Sequence, residues 1–429
     1  MSATPAAPEV RPPVTDPDRR VVVTGIGIVC ALGESAAEVW SGLLAGHSAA
    51  APIQGFDARD LPVRIAAEAT AFDARTWLSV RDAARLDRYC HFAVAASDLA
   101  LADAGRPTLD RENTATSIGS AIGGIGVAAN TILRTDGRPT AVSPYFIPAM
   151  IPNMAAGAVA VRHGLRGPSL AASTACAASA DAIGQGYRLI RDGRARACLA
   201  GGAEAPVTEP IVAGFHALRA LSRRNDAPGQ ACRPFDAERD GFVIGEGAAI
   251  LLLEAADAAV ARGARIYAEI CGYGQSSDAH HATTPAPSGV QAARAMRAAL
   301  LEAGLESGDV DYINAHATAT QLGDAAETRA IKHAFGRHSR RLAVSSTKSM
   351  TGHLLGAAGA LEAAICALAI DAQEIPPTRN YHTPDPACDL DYVPHHSRTT
   401  LVRAALSNSF AFGGHNVALA FREYPTTSH

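Results

Sequence analysis

Pro168–Ala205 reads PSLAASTACAASADAIGQGYRLIRDGRARACLAGGAEA, almost entirely small or apolar residues around one thiol, Cys176. A short apolar run leads into Ser173, Thr174 and Ala175, and a helical stretch follows from Ala177 to about Arg191. A second apolar run, ARACLAGGAEA, then suits a buried strand. Strand, helix and strand in close succession place this region in the α/β class. At a helix N-terminus, free N–H groups and the macrodipole favour a thiolate and lower its pKa. The same N–H groups can hold a developing oxyanion. A single cysteine among small residues is nonetheless more often part of the packing than of the chemistry.

The alternation continues outward in both directions. RVVVTGIGIV starts the ordered chain as a buried strand, after a proline-rich lead-in, Met1–Arg19, that reads as disordered. The glycines of TGIGIVCALG are not spaced as GxGxxG, so they predict a tight strand-to-loop turn rather than a nucleotide site. LDRYCHFAVAASDLALADAG has helical periodicity and stops at Gly105. TSIGSAIGG and GAAILLLEAADAAVARG add two strands. RIYAEICGYGQSSD, the helix GVQAARAMRAALLEAGL, VDYINAHAT, LAVSSTK, the helix GALEAAICALAI, RAALSNSFAF and NVALAFRE complete the series.

The 429 residues can bury a large core, and a net charge of −4 with 19% charged residues argues against a general nucleic-acid binder. Eight cysteines are scattered with no CxxC pair, which is poor spacing for zinc or a disulfide framework and fits a reducing cytoplasm. No run of 18 apolar residues and no signal peptide stand out, so neither a membrane span nor export is expected.

Two stretches raise the standing of Cys176. DYINAHATATQLGDAAE places His316 at the end of a strand, followed by Thr318, Thr320, Asp324 and Glu327. VSSTKSMTGHLLGAAGALEAA places Lys348 and His353 before a helix bearing Glu362. A lone histidine ending a strand is usually structural, but two such histidines, each in a loop of small and hydroxylic residues, form a pattern. Lys348 alone reads as a solvated charge, and Glu362 within an apolar run must be paired if buried. NSFAFGGHN, with a glycine pair after Phe412, reads by itself as a turn between strands.

In order and spacing, STACAAS, NAHATAT…GDAAE, SSTKSMTGHLLGAAGALE and NSFAFGGHN resemble the motifs of the β-ketoacyl-acyl-carrier-protein synthases. The likeness runs from about Arg20 to Phe421 and is nearest to elongating enzymes of type II fatty-acid synthesis and ketosynthases of type II polyketide systems. It implies a thiolase-like α-β-α-β-α sandwich of two similar halves, residues 20–265 with the cysteine and 266–429 with the histidines. It also implies a nucleophile at Cys176, an oxyanion hole from the N–H groups of Cys176 and Phe412, and two imidazole donors, His316 and His353, for the malonyl-derived enolate. Lys348 and Glu362 would order the site, and Thr318 and Thr320 would contact the pantetheine arm. Ile122 would narrow the acyl pocket, and Ala411, Phe412 and Gly413 would form its gate. No cofactor or metal is implied, because substrates ride on the phosphopantetheine arm of acyl carrier protein.

Arg81, Arg85 and Arg219 match carrier-docking positions of that family. A second basic cluster is out of register: Thr140 and Ala141 fall there, with Arg134 and Arg138 nearby. Dimerisation is implied, as a homodimer or with a cysteine-less chain-length-factor homologue. Departures from the pattern are Ala317 and Ala411, where the elongating enzymes usually carry glycine, and His415, where threonine is frequent. If that late glycine has positive φ, Ala411 would stiffen the gate.

Other classes fit less well. A degradative thiolase needs a second cysteine in the late glycine loop, and an initiating ketosynthase has asparagine where His353 stands. A chain-length factor lacks the nucleophile. A cysteine hydrolase leaves the second histidine and Lys348 unexplained.

Overall fold

A computed structural model of the protein describes residues 19–135 and 142–425. Most of the proline-rich lead-in, with Arg138, Thr140 and Ala141 of the second basic cluster, lies outside the described residues.

Among the described residues ten strands form one large sheet and alternate with helices along the chain. The first half contains β1 (Val21–Cys30), α1 (Arg88–Asp103), β2 (Thr114–Gly119), α2 (Met154–His163), β3 (Ser169–Leu170), α3 (Ala178–Arg191), β4 (Ala197–Glu204) and β5 (Gly247–Ala255). The second contains β6 (Ala268–Ser277), α4 (Val290–Ala303), β7 (Tyr312–Asn314), α5 (Gln321–Phe335), β8 (Ala343–Ser345), α6 (Ala358–Ala372), β9 (Ala404–Ala411) and β10 (His415–Arg422). Pairing gives the order β8-β7-β9-β10-β6-β1-β5-β4-β2-β3. Each half therefore repeats one topology: its first strand pairs with its fifth, the fifth with the fourth, the fourth with the second and the second with the third. The two five-stranded units join through Val21–Val23 of β1 against Ala268–Ile270 of β6.

Helices α3 and α6 pack against each other and against strands of both halves, while α1 and α2 cover one outer face and α4 and α5 the other. The result is five layers, α-β-α-β-α, with the largest core around the two central helices. The helical stretch Leu355–Ala372, though interrupted by Glu362 and Asp371, is by length and composition apolar enough to cross a membrane, but 89% of it is buried in the middle layer. Its hydrophobicity is that of a helix enclosed on every side.

The glycines of TGIGIV are not at a turn. Gly27 lies mid-strand in β1, and a Cβ there would sit 1.9 Å from the carbonyl oxygen of Ala96 on α1. In the second half Gly274 of β6 meets α4 the same way, 2.0 Å from the carbonyl oxygen of Ala295. Glycine on the strand and alanine on the helix let the outer layer approach closely. The device occurs twice in each half, at Gly25 and Gly27 of β1 and at Gly272 and Gly274 of β6.

Candidate active site

Each central helix begins at a strained elbow. In the first half Ala175 (φ 49°) precedes Cys176 and Ala177 in a short 3₁₀ turn that runs into α3. In the second half Leu355 (φ 47°), Gly356 and Ala357 repeat the turn before α6. Left-handed backbone at a non-glycine residue is uncommon and persists only where its surroundings hold it. Glycine occupies the second elbow where the thiol occupies the first, so the duplication places one thiol beside the elements of the other half.

Cys176, His316 and His353 line one cavity of about 500 Å³. His316 follows β7, and its N–H and that of Ala317 donate to the two oxygens of Glu327 at 2.9 and 2.7 Å. Asn408 of β9 donates to the same carboxylate at 3.1 Å. His353 is fully buried; its backbone N–H donates to Val243 O at 2.7 Å and its carbonyl oxygen accepts from Gly245 N at 2.9 Å. The two imidazoles meet edge to face, with centroids 5.4 Å apart, and Phe242 stands edge-on to His353 at 5.2 Å. Burial holds both imidazoles well below the usual histidine pKa, and the Lys348 charge pushes the same way. Both are therefore neutral near pH 7 and able to donate one N–H each.

Lys348 does not line the cavity. It is buried behind it and paired with Glu362 of α6, the partner that the buried carboxylate requires. Burial pushes Glu362 up to about 7 against the opposing Lys348 charge.

The remaining candidates divide by place. Thr318, Thr320, Ala411, Phe412 and Arg219 line the cavity, and the Thr318 and Thr320 hydroxyls are 3.3 Å apart. Ile122 packs with Cys176, Phe215 and Phe242 in an apolar cluster beyond the thiol. Gly413 and Gly414 carry the positive φ values of the late loop (81° and 76°), whereas Ala411 is extended (φ −127°), so its methyl group causes no strain in this conformation. Ala317 is likewise outside the left-handed region. Arg81 is exposed on the short helix Val80–Ala83, and the Arg85 guanidinium lies 4.6 Å above the Tyr145 ring; neither lines the cavity.

The cysteine's electrostatics differ from the sequence expectation. Cys176 is partly accessible at the bottom of the cavity but enclosed by protein, and burial pushes its thiol up to about 12. Lys348 and the N–H groups of Cys176 and Phe412 oppose that rise, while Glu204 adds to it. Desolvation is the largest of these influences, ahead of the Lys348 charge. The other seven cysteines are buried. Alkylation of Cys176 by iodoacetamide should therefore accelerate steadily from about pH 7 to about pH 10, roughly tenfold per pH unit, because thiolate is the reacting form. Peptide mapping after timed alkylation reads this directly, and a plateau below about pH 8 would contradict it.

Sequence reading gave Glu204 no role. Its buried carboxylate accepts from Ser120 Oγ at 2.8 Å and from the N–H groups of Ala121, Ile122 and Gly356 at 2.6, 3.2 and 3.0 Å. It thus ties the loop carrying Ile122 to the second elbow. An acid inside the apolar run AGGAEA was the available signal, since a buried carboxylate must find donors. Among the described residues no group of three or more His, Cys, Asp or Glu side chains is placed to hold a metal ion.

The family profiles "Beta-ketoacyl synthase, N-terminal domain" and "Beta-ketoacyl synthase, C-terminal domain" match residues 18–259 and 267–382. The chain is 50% identical over 410 residues to 3-oxoacyl-[acyl-carrier-protein] synthase 2 of Synechocystis sp., covering 95% of this chain and 98% of that protein. Among solved structures it resembles the ishigamide ketosynthase/chain length factor (TM-score 0.90, 36% identity, 95% of this chain and all of that one). It also resembles a structure of a type II PKS acyl-carrier protein in complex with its ketosynthase bound to the hexaketide (TM-score 0.88, 35% identity, same coverage).

Proposed function

The chain belongs to the β-ketoacyl synthase family, and on that premise we propose that it is an elongating β-ketoacyl-acyl-carrier-protein synthase working through Cys176, His316 and His353. The observation that carries the reading is the convergence of that thiol and the two neutral imidazoles on one cavity.

The sulfur of Cys176 attacks the thioester carbonyl of an acyl chain on carrier protein, and a C–S bond forms as the carrier's C–S bond breaks. The thiol proton leaves with the pantetheine sulfur, so no separate base has to hold it. The N–H groups of Cys176 and Phe412, both close enough to act on the sulfur, suit the oxyanion of this step. Malonyl-carrier protein then loses CO₂, and the electron pair of the broken C–C bond becomes an enolate. Its oxygen accepts from the two imidazole N–H groups. The enolate carbon attacks the acyl-cysteine, the Cys176 thiolate leaves, and a β-ketoacyl chain two carbons longer remains on the carrier. Lys348 and Glu362 keep the site ordered from behind, and no cofactor enters these steps.

Acyl carrier protein is the partner of this chemistry, and Arg219 at the cavity rim, with Arg81 and Arg85, supplies positive charge for an acidic carrier. Exposed Leu133, Ile147 and Val161, on neighbouring helices of the first half, support a dimer. The likeness to a ketosynthase/chain-length-factor structure favours a second reading, the ketosynthase subunit of a type II polyketide heterodimer. Eight free thiols suit a reducing cytoplasm.

Intact-mass measurement tests the reading. The wild-type protein should gain one acyl mass from acyl-carrier protein and release a β-keto product when malonyl-carrier protein is added. Cys176→Ala should gain none. Acyl loading that persists in Cys176→Ala would remove the assigned nucleophile.

A further inference from the structure

The first elbow is held by a carboxylate that the reaction itself does not use. Asp181 lies in the first turn of α3 and is 2% exposed. One of its oxygens accepts from Thr174 Oγ at 2.6 Å, and Thr174 directly precedes the strained Ala175. The other accepts from Tyr273 OH and Gln275 Nε2, both at 2.7 Å, from β6 of the second half. The Tyr273 ring lies flat on α3, where a Cβ at Gly184 would come within 2.3 Å of it. One carboxylate thus receives three donors, one from the elbow and two from the half that carries His316 and His353.

We propose that Asp181 is a positioning residue for the nucleophile: it fastens the Thr174–Ala175 elbow to Tyr273 and Gln275, so that the second half sets where Cys176 stands relative to the two histidines. The physical reason is the left-handed Ala175. Strained backbone relaxes unless its neighbours fix it on both sides. On the helical side the turn is closed by Ala177 N donating to Thr174 O at 3.1 Å. On the side preceding Ala175, the Thr174 side chain is held by Asp181. Without that bond the elbow can relax, and misplacement of a reacting atom by about 1 Å costs on the order of 100-fold in rate.

This inference rests on the proposed synthase reading, and its test separates the two. The rate of acyl transfer to Cys176 and the rate of CO₂ release from malonyl-carrier protein are measured for wild type, Asp181→Ala, Asp181→Asn and Thr174→Val. Decarboxylation depends on the imidazoles and not on the elbow. Asp181→Ala should therefore load acyl groups about 100-fold more slowly while releasing CO₂ at the wild-type rate. Asp181→Asn, which keeps one acceptor oxygen, should recover part of the loading rate. Thr174→Val, which removes only the elbow bond and keeps the side-chain shape, should also slow loading and leave CO₂ release intact; it decides the matter if Asp181→Ala does not fold. Wild-type loading in both Asp181→Ala and Thr174→Val would overturn the proposal, as would parallel loss of both half-reactions in Thr174→Val. A wild-type protein that neither loads acyl groups nor releases CO₂ would overturn the synthase reading instead.

Discussion

Replacing His353 with alanine should slow CO₂ release from malonyl-carrier protein by about 10²–10³-fold while Cys176 still accepts its acyl group, and His316→Ala should do the same. The two half-reactions use different donors. In the proposed mechanism acyl transfer draws on N–H groups at Cys176 and Phe412, whereas the enolate uses the imidazoles, which stand edge to face with centroids 5.4 Å apart. Removing one preorganised donor from a developing oxyanion costs about 10²–10³-fold. Each single variant should therefore lose that much condensation and accumulate acyl-enzyme, visible as a stable mass increase. Because burial and Lys348 keep both rings neutral, wild-type decarboxylation should not fall as pH rises from about 6 to about 8. Acyl-enzyme that condenses normally in His353→Ala would exclude the imidazole from the enolate step.

The second large effect concerns stability. Lys348 and Glu362 are buried together, and Glu362 Oε2 has no other partner among the described residues. Lys348→Met leaves that carboxylate in an apolar interior, where breaking a buried pair costs about 3–5 kcal/mol. The sign of the pH dependence follows from Glu362, whose folded pKa is already raised to about 7, above an unfolded value of about 4.3. In the variant the supporting charge is gone and the folded value rises further. Between the two values the folded state binds more protons than the unfolded state, so stability falls as pH rises through that window. The deficit relative to wild type should be largest near about pH 8 and shrink toward about pH 5, where Glu362 takes up a proton and needs no partner. Urea midpoints at both pH values measure this. An equal deficit at the two would show that the lost interaction is packing of the lysine stem, not charge.

Legibility from sequence varied with the range of the interaction. The helix after Cys176 and the alternation of strands and helices were readable because hydrophobic period and small-residue junctions are local. The histidines could be grouped with Cys176 only through ordered motifs, since nothing local links a residue in the first half to two in the second. The glycines of TGIGIV were misread as a turn because glycine signals freedom of φ and closeness of approach alike, and only the helix above the strand separates the two. The apolar stretch Leu355–Ala372 was likewise ambiguous, since enclosure by protein and enclosure by lipid demand the same side chains.

The sequence determined the α/β class through its periodicity, and the candidate nucleophile and two imidazoles through the resemblance of its ordered motifs to a known family. Only the tertiary structure decided how the strands of each half pair, that burial raises the Cys176 thiol, and that Asp181, Glu204 and Glu327 hold the elbows and loops. Those outcomes depend on burial and on donors supplied by distant strands, and both come into being only when the two halves close on each other.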